Sequence, residues 1–334
     1  MVVSNEESLI ENKIECHSTT LLVQRKKGIL LSVISLLFLG FLPIIANSRP
    51  TNLSALSYAF YLSFWELICS LPLLFIELKS HDKGIFTMDI EPLVRKKTYF
   101  IMAITGVIFS VSTYFYVFSF EKAGTVSAAI AIQTYPLFSI VWESIFLKKK
   151  KRWDELFFTG LIILGIYFIG TEGTFAIHDF SIWFGVALIT PFLWSIAHVT
   201  IKNTIDQSPI SPNQVTFFRV LISSFLLFLL SMFIDGPQSV FGGFTNFEFQ
   251  KYAFLMGLVY YLELVNWFYA VKYVNVSVAS TITTPTPVLT MILAVIFLSE
   301  KILVYQIIGM VVVFIALYGL IWRGNKNLEK KNKI

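Results

Sequence analysis

Glu263 stands in the middle of an apolar run, Tyr260-Tyr261-Leu262-Glu263-Leu264-Val265-Asn266-Trp267, with no basic residue beside it. On a helix, residues three and four apart are neighbours. Glu263, Asn266 and Trp267 are therefore expected to offer a carboxylate, an amide and an indole together. Such a group could hold an ammonium ion or take up a proton; the plainer alternative is a buried acid bonded to another helix. A second run carries Trp194 and His198, four apart, with Pro191 one turn earlier. Imidazole titrates near pH 6.5, about where a proton carrier should, and it also bonds readily to carboxylates. A histidine that simply bonds a neighbouring helix is the competing reading.

Less reactive candidates surround these. Gln133, Tyr135 and Pro136 precede one apolar stretch, and Thr284, Thr286 and Pro287 precede another. A proline removes a backbone donor and exposes a carbonyl, so both places could touch a polar ligand, or be packing kinks closed by hydroxyls. Tyr114 and Tyr116 are candidate wall residues of the same region. Glu66 and Arg219 each lie in an apolar run, where they could form an ion pair with each other or reach separately to an interface. Glu143, near Lys148, reads as structural.

The elements that must position these groups are apolar helices. The chain has 334 residues, of which 56% are hydrophobic and 14% charged, and its mean hydropathy is +0.72. Soluble domains carry about 25% charged residues. Each intramembrane charge costs about 2.5–3.5 kcal/mol at a helix centre, which is why the few present draw attention. Ten apolar segments can be marked, at about 28–46, 58–77, 98–119, 123–147, 155–171, 181–201, 213–234, 251–271, 274–298 and 302–322. Residues 1–24 read as a disordered polar tail and 324–334 as a basic one. The expected class is all-α integral membrane.

With the amino terminus inside, the inner side receives Arg25-Lys26-Lys27, Lys79, Lys83, Arg95-Lys96-Lys97, the run Lys148 to Arg152, Lys202, Lys272 and the basic tail. The outer side receives only Arg49, Lys122, Lys251 and Lys301. Positive residues favour the cytoplasmic side, so both termini are expected there. The net charge of +5 is then a topology signal, and no nucleic-acid partner is expected. Cys16 and Cys69 are the two cysteines and support neither a disulfide framework nor a metal site. No phosphate loop, zinc helix or nucleophile elbow is present, so an enzyme is not expected and no cofactor is implied.

The chain also repeats. Shifted by 151 positions, Gly106 meets Gly257, Ala128 meets Ala279, Pro136 meets Pro287, and Ile145-Phe146-Leu147 meets Ile296-Phe297-Leu298. Neighbouring segments align at offsets of 149, 153 and 157. The near-constant spacing predicts two five-helix repeats, 25–172 and 173–323. Five is odd, so the second copy must be inverted. Inverted repeats with broken helices build midplane sites in many secondary transporters.

At this point the sequence resembles the drug/metabolite transporter superfamily, in particular its ten-helix EamA-type members. Pro287-Val288 followed by Leu298-Ser299-Glu300 carries the resemblance, with Leu193-Trp194-Ser195 and Arg219. Two positions depart from the pattern: Leu147-Lys148-Lys149 replaces Leu-small-Glu in the first half, and Glu66 stands where a basic residue is common. The resemblance implies a secondary transporter of a small organic metabolite, such as an exported amino acid, working by alternating access in the cell membrane, with protons as a candidate coupling ion. A carrier for a nucleotide-sugar or phosphorylated metabolite is the rival, but it would want clustered cations where only Arg219 is available. A membrane enzyme or a non-transporting scaffold is a further alternative. The substrate-contacting residues are then expected among Glu263, His198, Trp194, Trp267, Asn266, Gln133, Tyr116 and Thr284. Structural or ion-pairing roles fall to Glu66, Arg219, Pro136, Pro287 and Glu300.

Overall fold

A computed structural model describes the backbone of residues 2–331 except 51–52, 82, 88–89, 136, 139–140, 143–152 and 275; side chains are described from residue 23, apart from the same positions and 154–156, 276–277, 281 and 320–331. Pro136, Glu143 and the basic run Lys148 to Arg152 lie outside the described residues. The helices are α1 (Val2–Ser48), α2 (Ala55–Lys79), α3 (Pro92–Ala123), α4 (Thr125–Ile132), α5 (Trp153–Gly170), α6 (Ile182–Ala187) and α7 (Ile189–Gln207). They continue with α8 (Pro212–Ile234), α9 (Pro237–Thr245), α10 (Phe247–Tyr273), α11 (Val276–Thr283), α12 (Thr286–Leu298) and α13 (Val304–Lys331).

Among the described residues, six stretches are long and apolar enough to cross a membrane: Val23–Ser48, Ala55–Lys79, Pro92–Ala123, Ile182–Gln207, Pro212–Ile234 and Phe247–Tyr273. Shorter apolar helices add Phe157–Gly170, Thr286–Leu298 and Val304–Gly319. Between 33% and 56% of each long window is buried, although the whole window is apolar. The remaining apolar face, including Phe225, Phe233 and Phe254, suits lipid and not water. The polar stretch expected as a disordered tail is helical here and continues into the apolar part of α1; its glutamates and lysine are good helix formers.

Caps fix several helix starts. Ser54 accepts from Ser57 N (3.0 Å) at α2. Ser211 and Gln214 form a reciprocal capping box at α8, with Pro212 in its first turn, and Asn246 accepts from Phe249 N at α10. Each satisfies donors that the first turn leaves free.

The packing follows the repeat. Helix α10 lies against α1 and α2, while α3, its partner by the 151-residue shift, lies against α7 and α8. The matched glycines mark these crossings. A Cβ on Gly257 would stand 2.7 Å from Leu62 O and 2.9 Å from Glu66 N, so α10 rides directly on the α2 backbone. A Cβ on Gly106 would stand 2.7 Å from Ile222 Cβ, and Ser223 Oγ donates to Gly106 O at 3.0 Å.

The two helix breaks also match. After α4, Gln133 N donates to Ala129 O and Leu137 N to Thr134 O; after α11, Thr284 N donates to Ser280 O and Val288 N to Pro285 O. Every atom in the second set lies 151 residues beyond its counterpart. Hydroxyls add to the carbonyls at the breaks: Thr134 Oγ1 donates to Ala131 O (2.7 Å), Thr284 Oγ1 to Ser280 O (2.8 Å) and Thr286 Oγ1 to Thr283 O (2.6 Å). Pro287 sits in the first turn of α12, where a missing N–H costs nothing.

Candidate functional site

A cavity lies where the two breaks face α7 and α10. Its walls include Phe109 of α3, Gln133 and Tyr135 beside the first break, Thr283 beside the second, Trp194 and His198 of α7, and Tyr260, Glu263 and Trp267 of α10. About 40 Å³ of free volume remains inside, room for roughly three water molecules.

His198 is enclosed by rings. Its centroid lies 5.5 Å from Phe109, 5.5 Å from Tyr135, 6.1 Å from Trp194, 5.5 Å from Trp267 and 5.9 Å from Phe268. Both imidazole nitrogens are buried without a hydrogen-bond partner among the described residues, as are the indole nitrogens of Trp194 and Trp267. Buried polar atoms are normally satisfied; four unpartnered ones around one space mark a place where a polar ligand would be accepted.

Glu263 is 5% exposed and opens onto the same space. Its backbone carbonyl accepts from Ser35 Oγ (3.1 Å), which ties α10 to α1. Its carboxylate has no salt bridge or hydrogen bond among the described residues. Arg219, in contrast, donates to Glu66 Oε1 at 2.9 Å, with both side chains 1% exposed. The guanidinium carbon sits 4.1 Å from the centroid of Phe109 and 5.3 Å from that of Tyr260. Those rings line the cavity, so the ion pair lies behind its wall.

The expected residues divide. Glu263, His198, Trp194, Trp267 and Gln133 line the cavity. Tyr116 forms its backing, stacked 5.4 Å from Trp194 and 5.8 Å from Tyr260. Asn266 does not join them; its amide donates to Leu262 O at 2.6 Å on its own helix. At about 100° per residue, Glu263 and Trp267 differ by only about 40°, while Asn266 lies about 100° from Trp267. Thr284 is fully buried and its hydroxyl donates to Ser280 O; Thr283, whose hydroxyl donates to the same carbonyl at 3.2 Å, takes the lining position. Tyr114 stacks on Phe118 in a separate groove with Asp235 and Glu121.

Phe109 and Tyr260 were not singled out from the sequence, yet a signal for them existed. They are mates under the 151-residue shift, as are Tyr116 and Trp267 and as are Ser112 and Glu263. The repeat offset applied to one wall would have found the other.

Glu300 has a different place. Ser299 adopts a left-handed conformation (φ 53°, ψ 29°) at the end of α12, and Glu300 N returns to Ala294 O. This turn directs Glu300 Oε1 to Thr125 N at 3.3 Å, the first residue of α4. An anion at a helix N-terminus is favourable. The same end is held by Asn47 Nδ2 donating to Thr125 Oγ1 (2.6 Å), Gln306 Nε2 to Ser127 Oγ (3.0 Å) and Arg49 to Glu121 (2.6 Å).

Comparison with known proteins agrees with this architecture. The sequence pattern of the EamA-like transporter family matches twice, over residues 26–171 and 181–322. The chain is 23% identical over 309 residues to "Uncharacterized transporter YcxC" of Bacillus subtilis (strain 168), covering 90% of this chain and 92% of that one. It is 28% identical over 124 residues to an "Uncharacterized transporter in trpA 3'region" of Buchnera aphidicola subsp. Schlechtendalia chinensis, 37% of this chain and 39% of that one. A solved crystal structure superposes with a TM-score of 0.59 at 12% identity, over 89% of this chain and 97% of the other, a likeness of fold.

Proposed function

This chain belongs to the EamA-like transporter family, and from that premise we propose that it is a secondary transporter moving a small organic metabolite, an amino acid or a related amphipathic compound, by alternating access. Export across the cell membrane, with proton coupling, is the specific form of the reading. Ten membrane segments in two inverted five-helix repeats, with both termini cytoplasmic, complete it.

One observation carries the proposal: the Glu263 carboxylate, an imidazole and two indole N–H groups face one cavity, and the four ring nitrogens have no hydrogen-bond partner among the described residues. A ligand with both polar and apolar parts would satisfy the donors and cover the rings. At about 40 Å³ the space is too small for such a ligand, which fits a closed intermediate between inward-open and outward-open forms. A phosphorylated substrate is not favoured, because Arg219, whose guanidinium lies against two rings of the cavity wall, is already committed to Glu66.

Uptake into proteoliposomes of a panel of labelled amino acids and metabolites, with and without a pH gradient, tests the reading. Saturable flux of at least one compound is expected. A correctly inserted protein that moves none of them would sink it.

A further inference from the structure

The groove that holds Tyr114 lies outside the central cavity, where the start of α2 meets the last turns of α3 and α8. Its free volume is about 400 Å³, against about 40 Å³ in the central cavity. Val111, Leu230 and Ile234, all exposed, form its open side. In a bundle of apolar helices such a side faces acyl chains.

The rim is polar and zwitterionic. Glu121 is held by Arg49 (2.6 Å) and Lys122 (3.0 Å). The Lys122 ammonium also sits 5.8 Å from the ring centroid of Phe118, a residue of the groove wall. Asp235 stands on the same rim and accepts from Ser54 Oγ and from Ser57 Oγ (2.7 Å). Among the described residues no cation pairs with it. The rim therefore offers two cations around Glu121 and a lone anion at Asp235, the complement of a headgroup with one phosphate and one ammonium.

The floor carries a separate mark of a ligand. Ser110 is 1% exposed and lines the groove, and its hydroxyl has no hydrogen-bond partner among the described residues. Ser112 and Ser119 on the same helix donate to the carbonyls of Phe109 (3.1 Å) and Tyr116 (2.9 Å); Ser110 does not. A buried hydroxyl is normally satisfied.

The depth of Ser110 fits the same headgroup. Ser223 Oγ meets Gly106 O, so Ser110, four residues on, is level with residue 227 of α8, eight residues short of Asp235. At 1.5 Å per residue the separation is about 12 Å. Extended ethanolamine, phosphate and glycerol span a length of that order between the ammonium and the first ester carbonyl.

We propose that this groove is a site for phosphatidylethanolamine, drawn from the leaflet at this end of the bundle, the outer one on the topology proposed above. The ammonium donates to Asp235, the phosphate lies beside Lys122, and an ester carbonyl accepts from Ser110. The acyl chains run over Val111, Leu230 and Ile234. A phosphatidylcholine ammonium has no N–H to give Asp235, and phosphatidylglycerol brings no cation. The site requires only a membrane, whatever compound the protein moves.

Native mass spectrometry of the full chain tests this, with the protein released from micelles that hold equal amounts of dioleoyl phosphatidylethanolamine, phosphatidylcholine and phosphatidylglycerol. One phosphatidylethanolamine should be retained at about tenfold higher occupancy than either other lipid, the worth of a charge-assisted hydrogen bond. Asp235→Asn, which still accepts from Ser54 and Ser57, should erase the preference. Ser110→Ala removes a donor that bonds nothing in the protein, so the fold is spared; phosphatidylethanolamine retention should fall about threefold or more. Equimolar dodecylamine, which has no phosphate for Lys122, should not displace the lipid.

Equal retention of the three lipids, or a preference for the anionic one, overturns the inference. So does a preference that survives Asp235→Asn, or unchanged retention in Ser110→Ala. Displacement by dodecylamine would make the occupant a free amine and overturns the lipid assignment. The transporter reading stands in every case.

Discussion

Glu66 and Arg219 are 153 residues apart, occupy equivalent places in the two repeats, and meet at 2.9 Å with both side chains buried. Duplication alone would have set like beside like at this position; the opposite charges make a contact between the halves. Neither charge could be held there alone. Removing one partner of a buried pair costs about 3–5 kcal/mol, because the other is left uncompensated. Glu66→Gln and Arg219→Met should each lower the thermal unfolding temperature of the purified protein strongly. The double variant should be more stable than either single one, and a strictly additive loss would contradict the pairing.

Close helix approach gives a second expectation. Gly257→Ala places a methyl against the backbone of Leu62 and Glu66, and forcing α10 off α2 should cost about 1–3 kcal/mol. Gly160→Ala, in α5, meets nothing within 4 Å and should be neutral or gain up to about 1 kcal/mol from helix propensity. Thermal unfolding of the two variants side by side checks the contrast.

At the start of α4, Glu300 supplies an acceptor and a charge. Glu300→Ala should cost about 1 kcal/mol and speed hydrogen exchange at the amides of residues 125–128. Glu300→Gln, which keeps the oxygen and loses the charge, should fall between Ala and the parent. Unchanged exchange in both would show that the 3.3 Å contact does not hold the turn.

On α10, two neighbours should behave differently. Asn266 bonds its own helix, so Asn266→Ala should leave flux of the transported compound into proteoliposomes within about twofold. Trp267 faces the cavity with its indole nitrogen unpartnered among the described residues, and losing a hydrogen bond to a ligand together with ring contact costs about 1.5 kcal/mol or more. Trp267→Ala should therefore lower that flux by about tenfold or more in the same assay at low substrate concentration. Equal effects would mean the face of α10 is wrongly assigned.

The fold was largely legible because a membrane restricts the choices. Apolar length marked the helices, and a 151-residue offset tied Gly106 to Gly257 and one helix break to the other. The cavity was legible where periodicity was enough: Glu263 with Trp267, and Trp194 with His198, are four apart and share a face. The place of Asn266 was not legible, because a shared turn is not a shared direction and its amide bonds Leu262 O on its own helix. Which of two adjacent threonines faces the cavity was not legible either: Thr283 and Thr284 both donate to Ser280 O, and only Thr283 lines the space. Glu300 was recognisable as part of a pattern, but its partner was not. Thr125 lies in the other half, and the left-handed Ser299 that aims the carboxylate leaves no trace in hydropathy.

That contact between Glu300 and Thr125 also means the halves are no longer interchangeable. The second half carries the acid that completes the first half's broken helix, and the first half has lysines where the reciprocal acid would be. Two copies of the first half would leave both broken helices without their anion. Two copies of the second would keep it but bring Arg219 face to face with Arg219. The present molecule is thus a hybrid whose parts have specialised for one another, and it must be made as both halves in order to be whole.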